Sequence, residues 1–259
     1  MDKIPKIIFI IPYRDREYEK HHFCVYMKYI LEDLDPNSYE IYFSHQNDKR
    51  PFNRGASKNI GFLVAKNKYP NDYKNISFVF NDIDTIPIKK NTFNYETTPN
   101  NVKHFYGFKY ALGGIVSITG QDFEKCNGFP NNWGWGLEDN TLNDRCIRNK
   151  INIDRTQFYN IGDKNIIHIF GDPNREINNN EAGYYKNNQL YDNLNTIKNL
   201  NYIIKKDILN TNIININSFT TLISHNSGKY YTQNLKQTTL ISVDKFSKRN
   251  RYHNWKLRF

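Results

Sequence analysis

The sequence predicts an α/β fold, a Rossmann-like, mostly parallel central sheet with flanking helices. Three observations carry that prediction. Short stretches dominated by apolar residues recur at residues 6–11, 39–44 and 76–80, the first of them a continuous run, which is the pattern of buried parallel strands. Between them lie two stretches whose apolar residues follow helical spacing. Strand, helix, strand, helix, strand in that order implies parallel neighbours joined by right-handed crossovers.

The first strand ends at Pro12-Tyr13-Arg14-Asp15-Arg16, a corner carrying two arginines. Phe23, Met27, Ile30, Leu31 and Leu34 then mark one face of a helix that Asp35-Pro36-Asn37 stops. A second strand and a loop lead to Phe52-Asn53-Arg54-Gly55, and Ala56, Ile60, Leu63 and Val64 line the next helix. The third strand runs into Asn81-Asp82-Ile83-Asp84. Residues i and i+2 of a strand point to the same side, so Asp82 and Asp84 emerge together where the apolar run ends. Two such anions suit a hard cation, Mg²⁺ or Mn²⁺, that would also hold a phosphate; the alternative is a solvated pair of turn aspartates before Pro87. Ligands of such sheets bind beyond the carboxyl ends of the strands, and Arg14, Arg16 and Arg54 belong to that same edge.

Past Pro87 the pattern is irregular as far as Gly113-Gly114. Gly128-Phe129-Pro130-Asn131-Asn132-Trp133-Gly134-Trp135-Gly136-Leu137-Glu138-Asp139 follows. Tryptophans between glycines make poor core, because glycine leaves the backbone mobile, so this stretch is expected to form a lid over a sugar or nucleotide. Glu138 and Asp139 open a helix through Leu142 and Cys146. Carboxylates there stabilise a helix N-terminus; beside the tryptophan loop they also suit a catalytic base. His168 closes an apolar segment, either as a core residue or as a metal ligand. Short apolar runs return at residues 203–204 and 213–216.

Hydrophobic residues make up 38% of the 259 and aromatics 15%, enough for a packed core. The formal net charge of +10 favours polyanionic partners. The basic residues are scattered except in residues 245–258, which predict loose contact with an anionic membrane or polyanion. No nucleic-acid reader motif is present, so no specific nucleic acid is expected. Cys24, Cys126 and Cys146 lack metal-ligand spacing and suit reduced thiols. Without a signal pattern or an apolar run of spanning length, the chain is expected to be cytoplasmic or soluble.

Taken together these blocks resemble the β-1,4-galactosyltransferase family of inverting, metal-dependent glycosyltransferases. The carriers are Ile11-Pro12-Tyr13-Arg14-Asp15-Arg16, Pro51-Phe52-Asn53-Arg54-Gly55, Asn81-Asp82-Ile83-Asp84, Gly113-Gly114 and the stretch from Asn127 to Asp139. The resemblance implies a GT-A fold over residues 1–217, with 218–259 as a basic extension, and a UDP-sugar donor, a glycan acceptor and Mn²⁺. It implies that Pro12, Arg14, Arg16, Phe52 and Arg54 cradle the uridine and diphosphate, and that Asp82 contacts ribose or metal. By the same resemblance Asp84 and His168 ligate the metal, Trp135 is the lid tryptophan, Asp139 the general base and Glu138 an acceptor-orienting carboxylate. Gly114 and the residue at Ala111 belong to the donor-sugar pocket. There the family's galactose users carry Tyr, so Ala111 implies room for the C2 substituent of N-acetylgalactosamine. Two positions depart from the pattern: Asp172 stands four residues after His168 rather than three, and Asn140 replaces a third acid. A degenerate glycan- or nucleotide-binding module is the alternative, disfavoured because Asp84, Trp135 and Asp139 are all retained.

Overall fold

Strand β1 (Ile7–Tyr13) is buried along its whole length, and its alternate side chains feed two cores. Ile8 and Ile10 pack with Ile60 and Val64 of helix α2 (Arg54–Lys68), while Ile7, Phe9 and Ile11 pack with Phe23 and Met27 of helix α1 (Glu17–Ile30). The period of two in the strand thus fixes one helical layer on each face. The computed structural model describes residues 3–169, 174–180 and 192–234.

The central sheet runs β11 (Lys198–Lys206), β12 (Asn212–Thr220), β2 (Tyr39–Gln46), β1, β3 (Ser77–Asn81), β6 (Ile115–Thr119), β5 (Asn101–Gly107), β7 (Asn152–Asp154), with β8 (Tyr159–Asn160) also paired to β5. The contiguous centre β12-β2-β1-β3 is parallel, whereas β11 and β6 join antiparallel. This is the mostly parallel, helix-flanked sheet the sequence predicts. Helix α1 ends at Ile30, with Leu31 as its C-cap, so Leu34 lies outside it. The irregular stretch after Pro87 contains β5, which no simple alternation announces.

Helix α3 (Gly120–Lys125) and helix α4 (Glu138–Arg148) share the α2 face, where Phe62 meets Phe78 and Phe123 edge-on with ring centroids 4.8 Å apart. Each fully buried phenylalanine contributes about 1.5–3 kcal/mol from burial, and each ring pair about 0.5–1.5 kcal/mol more. Two small sheets flank the core. One pairs β4 (Thr85–Pro87) with β9 (Ile166–His168), the other β10 (Asn174–Asn178) with β13 (Tyr230–Asn234).

Strand β12 runs through the boundary drawn at residue 217. Phe219 is 1% exposed and stacks on Trp133 with centroids 5.3 Å apart. Residues 218–234 therefore pack with the main body. Residues 245–258 and Asp172 lie outside the described residues. Among the described residues no helix is long and apolar enough to cross a membrane.

Candidate active site

Four segments converge at the carboxyl edge of the sheet: the end of β3, the N-termini of α2 and α4, and β9. Helix α2 begins beyond β2 with Asn53 as its N-cap; the Asn53 side-chain oxygen accepts from the Ala56 backbone N–H at 2.8 Å. That cap aims Arg54 and Lys58, one turn apart on the same face, at the carboxylates of the neighbouring segments. Arg54 Nη2 lies 2.6 Å from Asp82 Oδ1, and Arg54 Nε lies 2.9 Å from Glu138 Oε1. Lys58 Nζ lies 3.5 Å from the same Glu138 oxygen and 2.7 Å from Asp139 Oδ1. The result is an alternating chain of charges, Asp82–Arg54–Glu138–Lys58–Asp139, with three carboxylates to two cations.

Its members titrate differently. Burial pushes Asp82 and Glu138 up, but Arg54 and Lys58 outweigh it and leave both below the ordinary carboxylate range. Asp139, at the end of the chain, is pushed up to about 7 by burial and by Glu138. A carboxylate with that pKa is poised to accept a proton near neutral pH. Asp84 is also raised, first by burial and then by Asp82.

Glycines make the approach possible. A Cβ on Gly113 would lie 2.3 Å from Asp139 Oδ2, so only glycine lets the carboxylate close on this loop. Gly114 has φ +70 and its carbonyl accepts from Asp82 N–H at 2.8 Å, tying the same loop to the end of β3. Leu112 N–H reaches Asp139 O at 3.0 Å. Ala111 is buried, whereas Tyr110 is 36% exposed and stacks on Phe108 with centroids 5.3 Å apart.

His168 reaches Asp84 through the β4–β9 ladder, in which Thr85 pairs with His168 and Ile169 N–H donates to Asp84 O at 2.8 Å. Tyr106 Oη lies 2.9 Å from His168 Nδ1 and accepts from Gly162 N–H at 3.3 Å. Among the described residues no three His, Cys, Asp or Glu side chains converge as a ready-made metal cage. Buried Pro12, the last residue but one of β1, pairs with Ser44, and the Arg14 guanidinium lies over the Phe52 ring at 5.1 Å. Arg14 Nη1 also donates to Arg50 O at 2.5 Å. Arg16 turns back to Glu19 at 3.0 Å yet remains near enough to lower Asp84.

The two tryptophans part company. Trp133 is core: it is 3% exposed, and its indole N–H lies 2.9 Å from both Thr221 Oγ1 and Ile223 O. The expectation that glycine-flanked tryptophans make poor core fails there, because β12 and the segment after it supply a stacking partner and two acceptors. The stretch before it is stapled to α2 by Asn53 and Asn59, which donate to Asn131 O and Phe129 O at 2.8 Å each. Trp135 is half-buried, with its backbone N–H on Glu176 O at 2.7 Å and the Arg175 guanidinium 3.8 Å over its ring.

Residues 3–96 match the family model described as the N-terminal region of glycosyl transferase group 7, and residues 96–169 that described as the N-terminal domain of galactosyltransferase. The chain belongs to the β-1,4-galactosyltransferase family. As a member it is 33% identical over 192 residues to β-1,4-galactosyltransferase 4 of Cricetulus griseus, covering 68% of this chain and 52% of that protein. It is 32% identical over 177 residues to the xylosylprotein 4-β-galactosyltransferase of Caenorhabditis elegans, covering 64% and 59%. The chain thus spans about half the length of the curated relatives it matches. A crystal structure of a Drosophila β-1,4-galactosyltransferase 7 variant with manganese, UDP-Gal and xylobiose superposes with a TM-score of 0.68 at 22% identity, over 86% of this chain and 97% of that one. The family member therefore has the GT-A fold.

Lys58, Tyr106 and Arg175 are absent from the residues singled out in the sequence. Lys58 had a detectable signal, its spacing of four from Arg54. Arg175 lies in a polar, asparagine-rich stretch with none.

Proposed function

We propose that this protein is an inverting, Mn²⁺-dependent glycosyltransferase that moves a hexose from a UDP-sugar to a sugar hydroxyl of a glycan acceptor. The observation that carries the reading is the end-to-end charge chain, which joins Asp82, just after β3, to Asp139 at the start of α4, a carboxylate that burial and Glu138 push up to about 7. Family membership and the substrates held by the Drosophila relative support it.

The donor set fits a hard divalent cation. Asp84 has no hydrogen-bond or ion-pair partner for its carboxylate among the described residues and is raised by burial and Asp82. His168 stands on the adjoining strand, and the Tyr106 hydroxyl 2.9 Å from its Nδ1 orients the ring, as the outer partner of a ligating histidine does. Asp84 and His168 would hold Mn²⁺, with oxygens of the donor diphosphate completing the sphere. Bound there, Mn²⁺ would supply Lewis-acid stabilisation of charge developing on the leaving group.

The protein's own residues do the rest. Pro12, Arg14 and Phe52 form a wall for uridine, and Arg54, next to the Asp82 end of the charge chain, lowers the negative potential where the diphosphate enters. Asp139 takes the acceptor hydroxyl proton as that oxygen bonds to the anomeric carbon. The bond from that carbon to the β-phosphate oxygen breaks on the opposite face, and its electron pair leaves with UDP. One in-line displacement inverts the centre. Glu138, fixed between Arg54 and Lys58, keeps the base oriented and raised. Trp135 covers the donor and acceptor. Galactose is the donor sugar the relatives' names favour, and Ala111 also admits N-acetylgalactosamine. Residues 245–258 would supply a salt-sensitive contact to anionic surfaces.

Release of UDP from a panel of UDP-sugars, with and without Mn²⁺ and an oligosaccharide acceptor, tests the reading. Metal-dependent release that Asp84→Asn abolishes is the expected result. Absence of release with every donor and acceptor would leave the binding-module alternative.

A further inference from the structure

The arginines of the sheet edge are engaged. Arg54 binds Asp82 and Glu138, Arg16 binds Glu19, and Arg14 donates to Arg50 O. Arg175 is different. It lies on β10, whose next residue, Glu176, accepts the Trp135 backbone N–H at 2.7 Å. Its guanidinium lies 3.8 Å over the Trp135 ring and makes no hydrogen bond or ion pair with another described residue. A guanidinium stacked by its face keeps its N–H edge for an anion, and a planar fork matches two phosphate oxygens at once.

The surroundings are those of the donor site. Burial and Arg54 push Arg175 down to about 10, while Asp84, Asp82 and Glu138 push it up. It therefore remains a cation at neutral pH, within the field of the same carboxylates that flank the proposed metal position.

We propose that Arg175 binds the diphosphate of the donor, held over the site by the face of Trp135. The proposal rests on the UDP-sugar reading and adds a cation that no motif marks. It also gives the tryptophan a second role, because a movement of Trp135 over the donor carries the guanidinium with it. The phosphate-binding arginine and the aromatic cover are then one unit, and departure of UDP as an anionic leaving group loosens both.

Isothermal titration of the full chain with UDP and with uridine, in Mn²⁺, tests this on wild type, Arg175→Met and Arg175→Lys. Arg175→Met is expected to weaken UDP about 10- to 100-fold, the range for a lost charge-assisted contact, with uridine unchanged and an unaltered melting temperature. Arg175→Lys should fall between, since it keeps the charge and loses the fork. In Trp135→Ala, adding Arg175→Met should cost much less than in wild type, because the stack is already gone. If wild type binds UDP and Arg175→Met binds it equally, Arg175 is packing only and the proposal is overturned while the UDP-sugar reading stands. If wild type binds neither UDP nor uridine, both fall.

Discussion

Lys58 Nζ donates to Asp139 Oδ1 at 2.7 Å, and the lysine is only 2% exposed. A fully buried ammonium is tolerated only when paired, so this contact stabilises the fold through the carboxylate proposed as the base. Burial and Glu138 push Asp139 up to about 7, and Lys58 is the nearest force pulling it down. As the proposed base, Asp139 must be ionised to act, so transfer is expected to fall as pH drops through about 7.

Lys58→Met removes the cation and raises Asp139 further. The acidic limb of the pH–rate profile should therefore move to higher pH. The fold should lose about 3 kcal/mol at pH 8, where the folded state must either protonate Asp139 or bury its charge unpaired, and less at pH 6, where the carboxyl is neutral at little cost. Denaturant unfolding at the two pH values checks the second statement. An unmoved acidic limb would show that Lys58 does not act on the base.

Tyr106→Phe deletes the hydroxyl 2.9 Å from His168 Nδ1 without changing the ring. Outer partners of a ligating histidine influence metal affinity about 10- to 100-fold, so Mn²⁺ should bind that much more weakly, with the uridine site intact. Titration of Mn²⁺ in saturating UDP, followed by electron paramagnetic resonance, measures it. Equal affinity would mean that His168 is not a ligand or needs no help from Tyr106.

The parts of this site that the sequence discloses are those written in adjacent residues. Asp82 and Asp84 follow an unbroken apolar strand, and the strand period alone places them together. Glu138 and Asp139 open α4 directly after an unusual loop. Lys58 and Arg175 are hidden because their meaning is tertiary: Lys58 gains its partners only when α2 and α4 present their N-termini to one another, and Arg175 only when β10 crosses the tryptophan loop. Trp133 misleads for the same reason. Its stacking partner Phe219 lies far along the chain, and nothing local predicts that a glycine-flanked indole will be core. The fold was legible sooner, since β1 declares itself by a continuous apolar run and β2 and β3 by mostly apolar centres, while β5 did not because its adjacent lysine and histidine break the middle of the strand.

On the proposed reading, donor choice is expected to turn on Ala111, which is buried where the loop meets Asp139, whereas Tyr110 is 36% exposed and stacks on Phe108. Ala111→Tyr should reject UDP-N-acetylgalactosamine relative to UDP-galactose by at least the ~1–3 kcal/mol typical of pocket discrimination, and Tyr110→Ala should leave the ratio unchanged. Competition between the two donors gives that ratio. A preference that shifts only in Tyr110→Ala would place the selecting residue one position earlier.

Asp139→Asn is the most direct test of the central claim. It keeps the shape of the side chain and removes the proton acceptor at the end of the charge chain. With labelled UDP-galactose and an oligosaccharide acceptor in Mn²⁺, turnover is expected to fall about 10²-fold or more, while UDP affinity by titration stays within roughly twofold of wild type, as expected when no contact to the donor is lost. Turnover equal to wild type in Asp139→Asn, at unchanged UDP affinity, would contradict the assignment of the base and with it the account of how this site works.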